Sequence, residues 1–342
     1  MFVPSRAASN PPVPSPLYPE YSVLLAPLSG YTDYPFRALC RAYGCRYAFT
    51  PLIAARSIIH RNPRNPRLLF RGRDEPWLGV QLEGDSPEIF AAAAERLNEY
   101  EFNVLDLNMG CPVPKIMKKN AGAALLADPD RAAACVQAAA RASRFPVTAK
   151  IRILDARAPE PTVRFAKRLE EAGIRALTIH GRIAERFYSG PVFFEGIRAV
   201  RQALGIPVIA NGGIMDAESA RMLREETGCS RIMVARGAIG NPWIFREIPA
   251  GAPGGAARSG HNQPEHRELC DVLERHVSML LHFYGETIGI LNARKIILAY
   301  LTGRGYRRVR RRQAGELRTE QEFRDFMAVL RREGVSPRFH GK

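Results

Sequence analysis

Cys111 stands in the segment Asn108-Met109-Gly110-Cys111-Pro112, between a glycine and a proline and just past a short apolar run. An unperturbed thiol ionises near pH ~8.5, so at neutral pH it can donate a proton as well as act as a nucleophile. The spacing gives no support to metal ligation, because neither a Cys-x-x-Cys nor a His-x-x-x-His partner accompanies it. Cys40, Cys45, Cys135, Cys229 and Cys270 read as inert packing residues. Six scattered cysteines fit a reducing cytoplasm and do not make a disulfide scaffold.

Lys150 and Arg152 are two residues apart in an apolar run and share one face of a strand. Buried lysines are rare without an anionic partner, and a reduced flavin, negative near N1 and C2=O, is one such partner. Gln81 lies in an earlier run, and His180-Gly181-Arg182 closes a later one. Asn211-Gly212-Gly213 and Ala235-Arg236-Gly237 then follow two further runs. Glycine backbone N–H groups with an arginine beside them suit a phosphate.

These groups need a scaffold that gathers strand ends. Eight β-type runs recur: Val23–Leu28, Ala48–Ile53, Leu78–Leu82, Val104–Leu107, Val147–Ile153, Ala176–Ile179, Pro207–Ala210 and Arg231–Ala235. Helical stretches separate most of them: Pro35–Tyr43, Pro87–Asn98, Pro129–Ser143, Pro161–Ala172, Glu195–Leu204 and Ala217–Glu226, with a less regular interval over 54–77. Alternating strand and helix argues for a parallel sheet, and eight units favour a (β/α)8 TIM barrel over an open doubly wound sheet. No Gly-x-Gly-x-x-Gly turn follows the first run. A barrel sets its chemistry at the C-terminal strand ends, where Cys111, Lys150, Arg152, His180, Asn211 and Arg236 fall.

The expected organisation is a Pro-rich tail over 1–20, a barrel over 21–248, a Gly/Ala/Pro-rich linker over 249–264 and a small C-terminal helical domain over 265–342. Its helices are read at Glu265–Tyr284, Thr287–Tyr300 and Thr319–Arg332. The chain carries +16, and 14 Lys/Arg against 5 Asp/Glu place +9 of it between Arg294 and Lys342. The run Arg304–Arg312, with Tyr306 embedded, suits phosphate contact with a nucleic acid. An acidic membrane fits less well, because the run lacks an amphipathic, aromatic face. No apolar stretch reaches the length of a membrane span, and no signal-peptide layout opens the chain.

Taken together, several segments resemble the tRNA-dihydrouridine synthase family, most closely its bacterial B-type branch. They are Ala26-Pro-Leu-Ser-Gly-Tyr-Thr-Asp33 with Pro35-Phe-Arg37, Asp106-Leu-Asn-Met-Gly-Cys-Pro112, Lys115 with Ala121-Gly-Ala-Ala-Leu-Leu126, and Lys150-Ile-Arg152. Thr178-Ile-His-Gly-Arg182, Pro207-Val-Ile-Ala-Asn-Gly-Gly213, Asn241-Pro-Trp-Ile-Phe245 and the pair Arg294-Lys295 complete the set, in family order.

The resemblance implies an FMN-binding barrel followed by a tRNA-binding helical domain, with NADPH as reductant of a uridine C5–C6 double bond. It implies Cys111 as the acid that protonates C5. Pro27, Leu28, Ser29, Gln81, Lys150, His180, Asn211, Gly212, Gly213, Ala235 and Arg236 would hold the cofactor. Asn108, Lys115, Arg152, Arg182, Arg294 and Lys295 would meet the RNA. It further implies a cytoplasmic monomer with no structural metal and no membrane partner. Two positions depart from the family: Ala235 stands where glycine is usual, and Ile296 where histidine is common. The competing readings are a small-molecule flavin barrel of the dihydroorotate-dehydrogenase kind, which would not need the basic helices, and a non-catalytic tRNA-binding module, which would not need Cys111 and Lys150.

Overall fold

The computed structural model describes residues 17–248 and 264–334; the expected tail up to residue 16 and the linker over 249–263 lie outside the described residues. Nine short strands make one parallel sheet: β1 (Val23–Leu25), β2 (Tyr47–Ala48), β3 (Ile53–Ala54), β4 (Gly79–Glu83), β5 (Val104–Met109), β6 (Val147–Arg152), β7 (Leu177–His180), β8 (Val208–Asn211) and β9 (Arg231–Val234). Their order is β2-β1-β9-β8-β7-β6-β5-β4-β3.

The two outermost strands are halves of one stave. β2 pairs with β1 and β3 pairs with β4. Between them Phe49 bridges to Gly79, and the Thr50 N–H donates to the Gly79 carbonyl at 2.9 Å. Pro51 has no N–H and interrupts the ladder there. The eight apolar runs thus become eight staves of an α/β barrel. Every residue of β5, β8 and β9 is buried, as strands covered on both faces require.

Local chemistry starts the outer helices where the sequence signals them. Asp33, Ser86 and Asp128 cap Tyr34–Ala42, Pro87–Leu97 and Pro129–Ala142, each with a proline in the first turn. Asp216 and Ser219 form a capping box on Ala217–Thr227. The irregular interval after β3 holds two short helices, Ala55–Ile59 and Asn65–Leu68. It is tied back by Arg37, whose buried guanidinium donates to both Glu75 carboxylate oxygens at 2.9 Å and to the Thr32 and Phe70 carbonyls. That clamp fixes the loop that follows β1.

Four helices complete the described residues: His266–Tyr284, Glu286–Leu301, Arg308–Glu316 and Glu320–Glu333. The third was not expected, because it lacks an apolar stripe and buries only Ala314. Their core includes Leu273, Ile297, Tyr300, Phe323 and Leu330 and continues into Leu39 and Trp243 of the barrel. Polar contacts add to that joint: Trp243 Nε1 donates to Glu268 at 2.8 Å, and the Tyr284 hydroxyl to Asp33 at 3.1 Å. Ile296 is buried in this core. Tyr18, within the stretch read as tail, is 1% exposed and packs against Tyr47 and Trp77. Among the described residues no helix is long and apolar enough to cross a membrane.

Candidate active site

The C-terminal ends of the strands surround a cavity of about 380 Å³. Pro27, Leu28, Ser29, Gln81, Asn108, Cys111, Lys150, Arg152, His180, Arg182, Asn211, Gly212, Gly213, Ala235 and Arg236 all line it. Lys115, Arg294 and Lys295 do not. Lys115 is exposed on the short helix Pro114–Met117 that follows Cys111. Arg294 donates to the Leu317 carbonyl at 2.6 Å and so braces its own domain. Lys295 reaches the mouth from the helical domain, with Nζ 4.8 Å from the centre of the Tyr31 ring. Tyr31 itself lines the cavity.

A polar relay crosses the barrel floor toward Cys111. Thr148 Oγ1 and Gln81 Nε2 each donate to Asp106 at 2.6 Å. Asn108 Nδ2 donates to Gln81 Oε1 at 2.9 Å. Asn108 Oδ1 then accepts from the Gly110 N–H at 3.2 Å and the Cys111 N–H at 2.9 Å. From the other side the Ala123 N–H donates to the Cys111 carbonyl at 3.0 Å. Gly122 permits that approach: its φ is +62°, and a Cβ there would lie 2.7 Å from the Cys111 carbonyl oxygen. Asn108, expected to touch substrate, therefore spends its amide on shaping the Cys111 turn. Asp106 was missed as a site residue; burial raises its carboxyl to about 6 against the pull of Gln81, Thr148 and Lys150.

The Cys111 thiol is half-buried. Burial pushes its pKa up and Glu83 adds to the rise, while Arg152 and Lys150 oppose it. The group therefore stays protonated at neutral pH. The other five cysteines are buried.

Lys150 Nζ donates to Asn211 Oδ1 at 2.9 Å, and Asn211 Nδ2 donates to the Met233 carbonyl at 2.7 Å, which fixes the amide's orientation. Burial lowers Lys150 to about 8, Arg152 lowers it further, and Asp106 and Cys111 oppose. His180 Nε2 accepts from Arg182 Nη1 at 3.2 Å; since arginine has no acceptor, the ring proton sits on Nδ1. Burial, then the charges of Lys150, Arg152, Arg182 and Arg236, hold His180 neutral with a pKa of about 2. The adjoining turn demands glycine, because a Cβ on Gly212, at φ +126°, would lie 2.9 Å from His180 Cδ2. Ala235 has a φ of −118°, outside the positive region that favours glycine.

Arg152, expected among the RNA contacts, is 3% exposed. It donates to the carbonyls of Gly110 at 2.7 Å, Ile183 at 3.2 Å and Phe187 at 2.8 Å. It braces the Cys111 turn against the loop after β7. That loop brings a residue the sequence reading omitted: Tyr188, half exposed, covers Arg236 with its ring centre 4.4 Å from the guanidinium carbon. An aromatic in a glycine- and serine-containing loop was its only sequence signal. Among the described residues no group of three or more His, Cys, Asp or Glu side chains could hold a metal.

Known proteins match both the sequence and the scaffold. The dihydrouridine synthase (Dus) family profile matches residues 24–333. The chain is 40% identical over 282 residues to tRNA-dihydrouridine synthase B of Pseudomonas aeruginosa, covering 82% of this chain and 83% of that protein. It is 38% identical over 280 residues to the protein of the same name from Yersinia pestis, covering 82% and 86%. Among solved structures, histamine dehydrogenase from Rhizobium sp. 4-9 superposes with a TM-score of 0.50 at 12% identity, over 66% of this chain and 45% of that one. The 6-hydroxypseudooxynicotine amine oxidase of Pseudomonas geniculata N1 gives 0.51 at 11%, over 67% and 46%. The chain thus spans less than half the length of these two proteins, and at such identity they speak to the barrel alone. The profile match and the close relatives carry the family assignment: the chain belongs to the dihydrouridine synthase family.

Proposed function

We propose that the chain reduces the C5–C6 double bond of a uridine in tRNA, with FMN as cofactor, NADPH as reductant and Cys111 as the acid. The observation that carries this reading is the shared cavity of Cys111, Lys150 and Asn211, with the thiol kept protonated at its rim.

The residues present fit a flavin. The Lys150 ammonium has a neutral amide as its hydrogen-bond partner and is weakened by burial, so an anionic ring edge would restore what burial removes. The Gly213 N–H donates to no acceptor among the described residues, and Arg236 stands beside it in the cavity wall, as a phosphate requires. Pro27, Leu28 and Ser29 would line the ring, and Gln81 and Lys150 its polar edge. His180, Asn211, Gly212, Gly213, Ala235 and Arg236 would hold the ribityl phosphate. When bound, FMN supplies the hydride that reaches uracil C6.

The chain's own residues do the rest. Cys111 Sγ–H gives its proton to C5, and the thiolate left behind faces the charges of Arg152 and Lys150. Asn108 and Ala123 hold the Cys111 backbone while this happens. Extruding the uridine from its stack costs about a few kcal/mol, which phosphate contacts by the basic helices and by Lys115, Lys118 and Lys119 offset. A substrate confined to free pyrimidines would make no use of those contacts.

The test is direct. Purified protein with FMN, NADPH and unmodified tRNA transcript is expected to convert one uridine to dihydrouridine, read as a gain of two hydrogens by nucleoside mass spectrometry. NADPH-dependent reduction of free pyrimidines with none in tRNA would favour the small-molecule barrel instead. Flavin-free protein that binds tRNA without modifying it would favour the non-catalytic module.

A further inference from the structure

At the opposite end of the barrel, the chain leading into β6, β7, β8 and β9 borders a second cavity, of about 960 Å³. Arg144, Arg175, Arg201 and Arg231 line it, and among the described residues Glu170 is its one acidic member. Glu170 is already engaged, accepting from the Gly205 N–H at 2.8 Å and the Ile206 N–H at 3.1 Å. Arg144 is engaged as well, with the Tyr100 carbonyl at 2.6 Å and Glu101 at 3.1 Å. Arg175 and Arg201 are exposed and make no side-chain hydrogen bond or ion pair among the described residues.

Arg231 is the most telling of the four. It is 8% exposed and donates to the Tyr18 carbonyl at 2.7 Å and to Ser230 at 3.5 Å, but no carboxylate pairs with it among the described residues. Burial lowers its pKa, with Arg201 adding to the fall and Glu20 opposing it. Guanidinium does not give up its proton in proteins, so the charge persists. A buried cation beside like charges is costly unless an anion answers it. The guanidinium fork matches phosphate oxygens in pairs, and a concave cleft suits a compact anion better than an extended strand.

We infer that this end of the barrel binds a small phosphorylated molecule, its phosphate held by Arg175, Arg201 and Arg231. The site is separate from the catalytic mouth: β6 runs from Val147 at this end to Arg152 at the other, roughly 17 Å of strand.

Inorganic pyrophosphate is the probe, titrated calorimetrically into the full chain. The wild type is expected to bind it. Arg175→Glu and Arg201→Glu are each expected to weaken that binding about tenfold or more, the loss of a charge-assisted hydrogen bond. Both side chains are exposed and outside the active site, so flavin content and dihydrouridine formation should stay at wild-type levels. No pyrophosphate binding by the wild type overturns the inference. So does equal affinity in wild type and both variants. A fall in tRNA affinity alone, with pyrophosphate binding unchanged, overturns it in favour of an RNA contact.

Discussion

At the barrel mouth Lys150, Arg152, His180, Arg182 and Arg236 converge on one cavity. In the run Arg304–Arg312 the arginines are divided among different surroundings. Arg304 turns inward, donating to the Tyr300 carbonyl at 2.9 Å and lying over Trp243. Arg310 is bound to Glu333. Arg308, Arg311 and Arg312 line a separate cleft of about 740 Å³ that includes no acidic residue among the described ones, and Arg311 Nε is buried there with no hydrogen-bond partner. Both regions are positive, and on the proposed function they answer to different anions. Cations that converge on one cavity suit one small anion and are screened less where they are buried, whereas arginines spread along a cleft suit a polymer and are screened within about 10 Å at 0.1 M salt.

The contrast breaks most visibly in RNA binding. Replacing Arg308, Arg311 and Arg312 together with Gln is expected to lower tRNA affinity about a hundredfold at low salt and to reduce the slope of log K against log salt by about 2. FMN content should be unchanged. Filter binding across a salt series measures this, and an unaltered slope would remove these three arginines from the RNA contact.

Lys150→Met is expected to weaken FMN about 10–100-fold, the worth of a charged hydrogen bond, with little dependence on salt. The pH dependence has a definite sign. Lys150 is held at about 8 in the folded chain against an ordinary 10.5. Below pH 8 the full cost of burying its charge is present. Between 8 and 10.5 the folded chain has released the proton that the unfolded chain still holds, so stability rises with pH. An anionic ligand needs the charged form, so FMN affinity should fall as pH climbs above 8 in wild type and stay flat in Lys150→Met. Fluorescence titration reads both, and parallel profiles would show that another group controls the mouth.

The smallest effect is expected at Ala235. Because its φ is negative, Ala235→Gly relieves no positive-φ strain and should change FMN affinity by about twofold or less. A large gain would mean that the methyl crowds the phosphate.

How much of this could be read from residues alone depended on whether the signal was local. The staves and outer helices were readable because apolar runs and prolines sit next to what they specify. The stave broken at Pro51 looked like one run, since the bridge from Phe49 reaches a glycine thirty residues away. Asp106 was passed over because its partners, Gln81 and Thr148, are 25 and 42 residues distant. Arg152 and Arg294 were expected among the RNA contacts, yet carbonyls from other segments accept from both. Sequence supplies the sign of a charge; only packing supplies its direction.

Cys111 as proton donor is the claim on which the rest turns. Cys111→Ala, loaded with FMN and given NADPH and tRNA, tests it in a single-turnover experiment. The variant should bind flavin and oxidise NADPH as the wild type does, while dihydrouridine forms about 10²–10⁴ times more slowly. Dihydrouridine appearing at the wild-type rate would contradict the assignment.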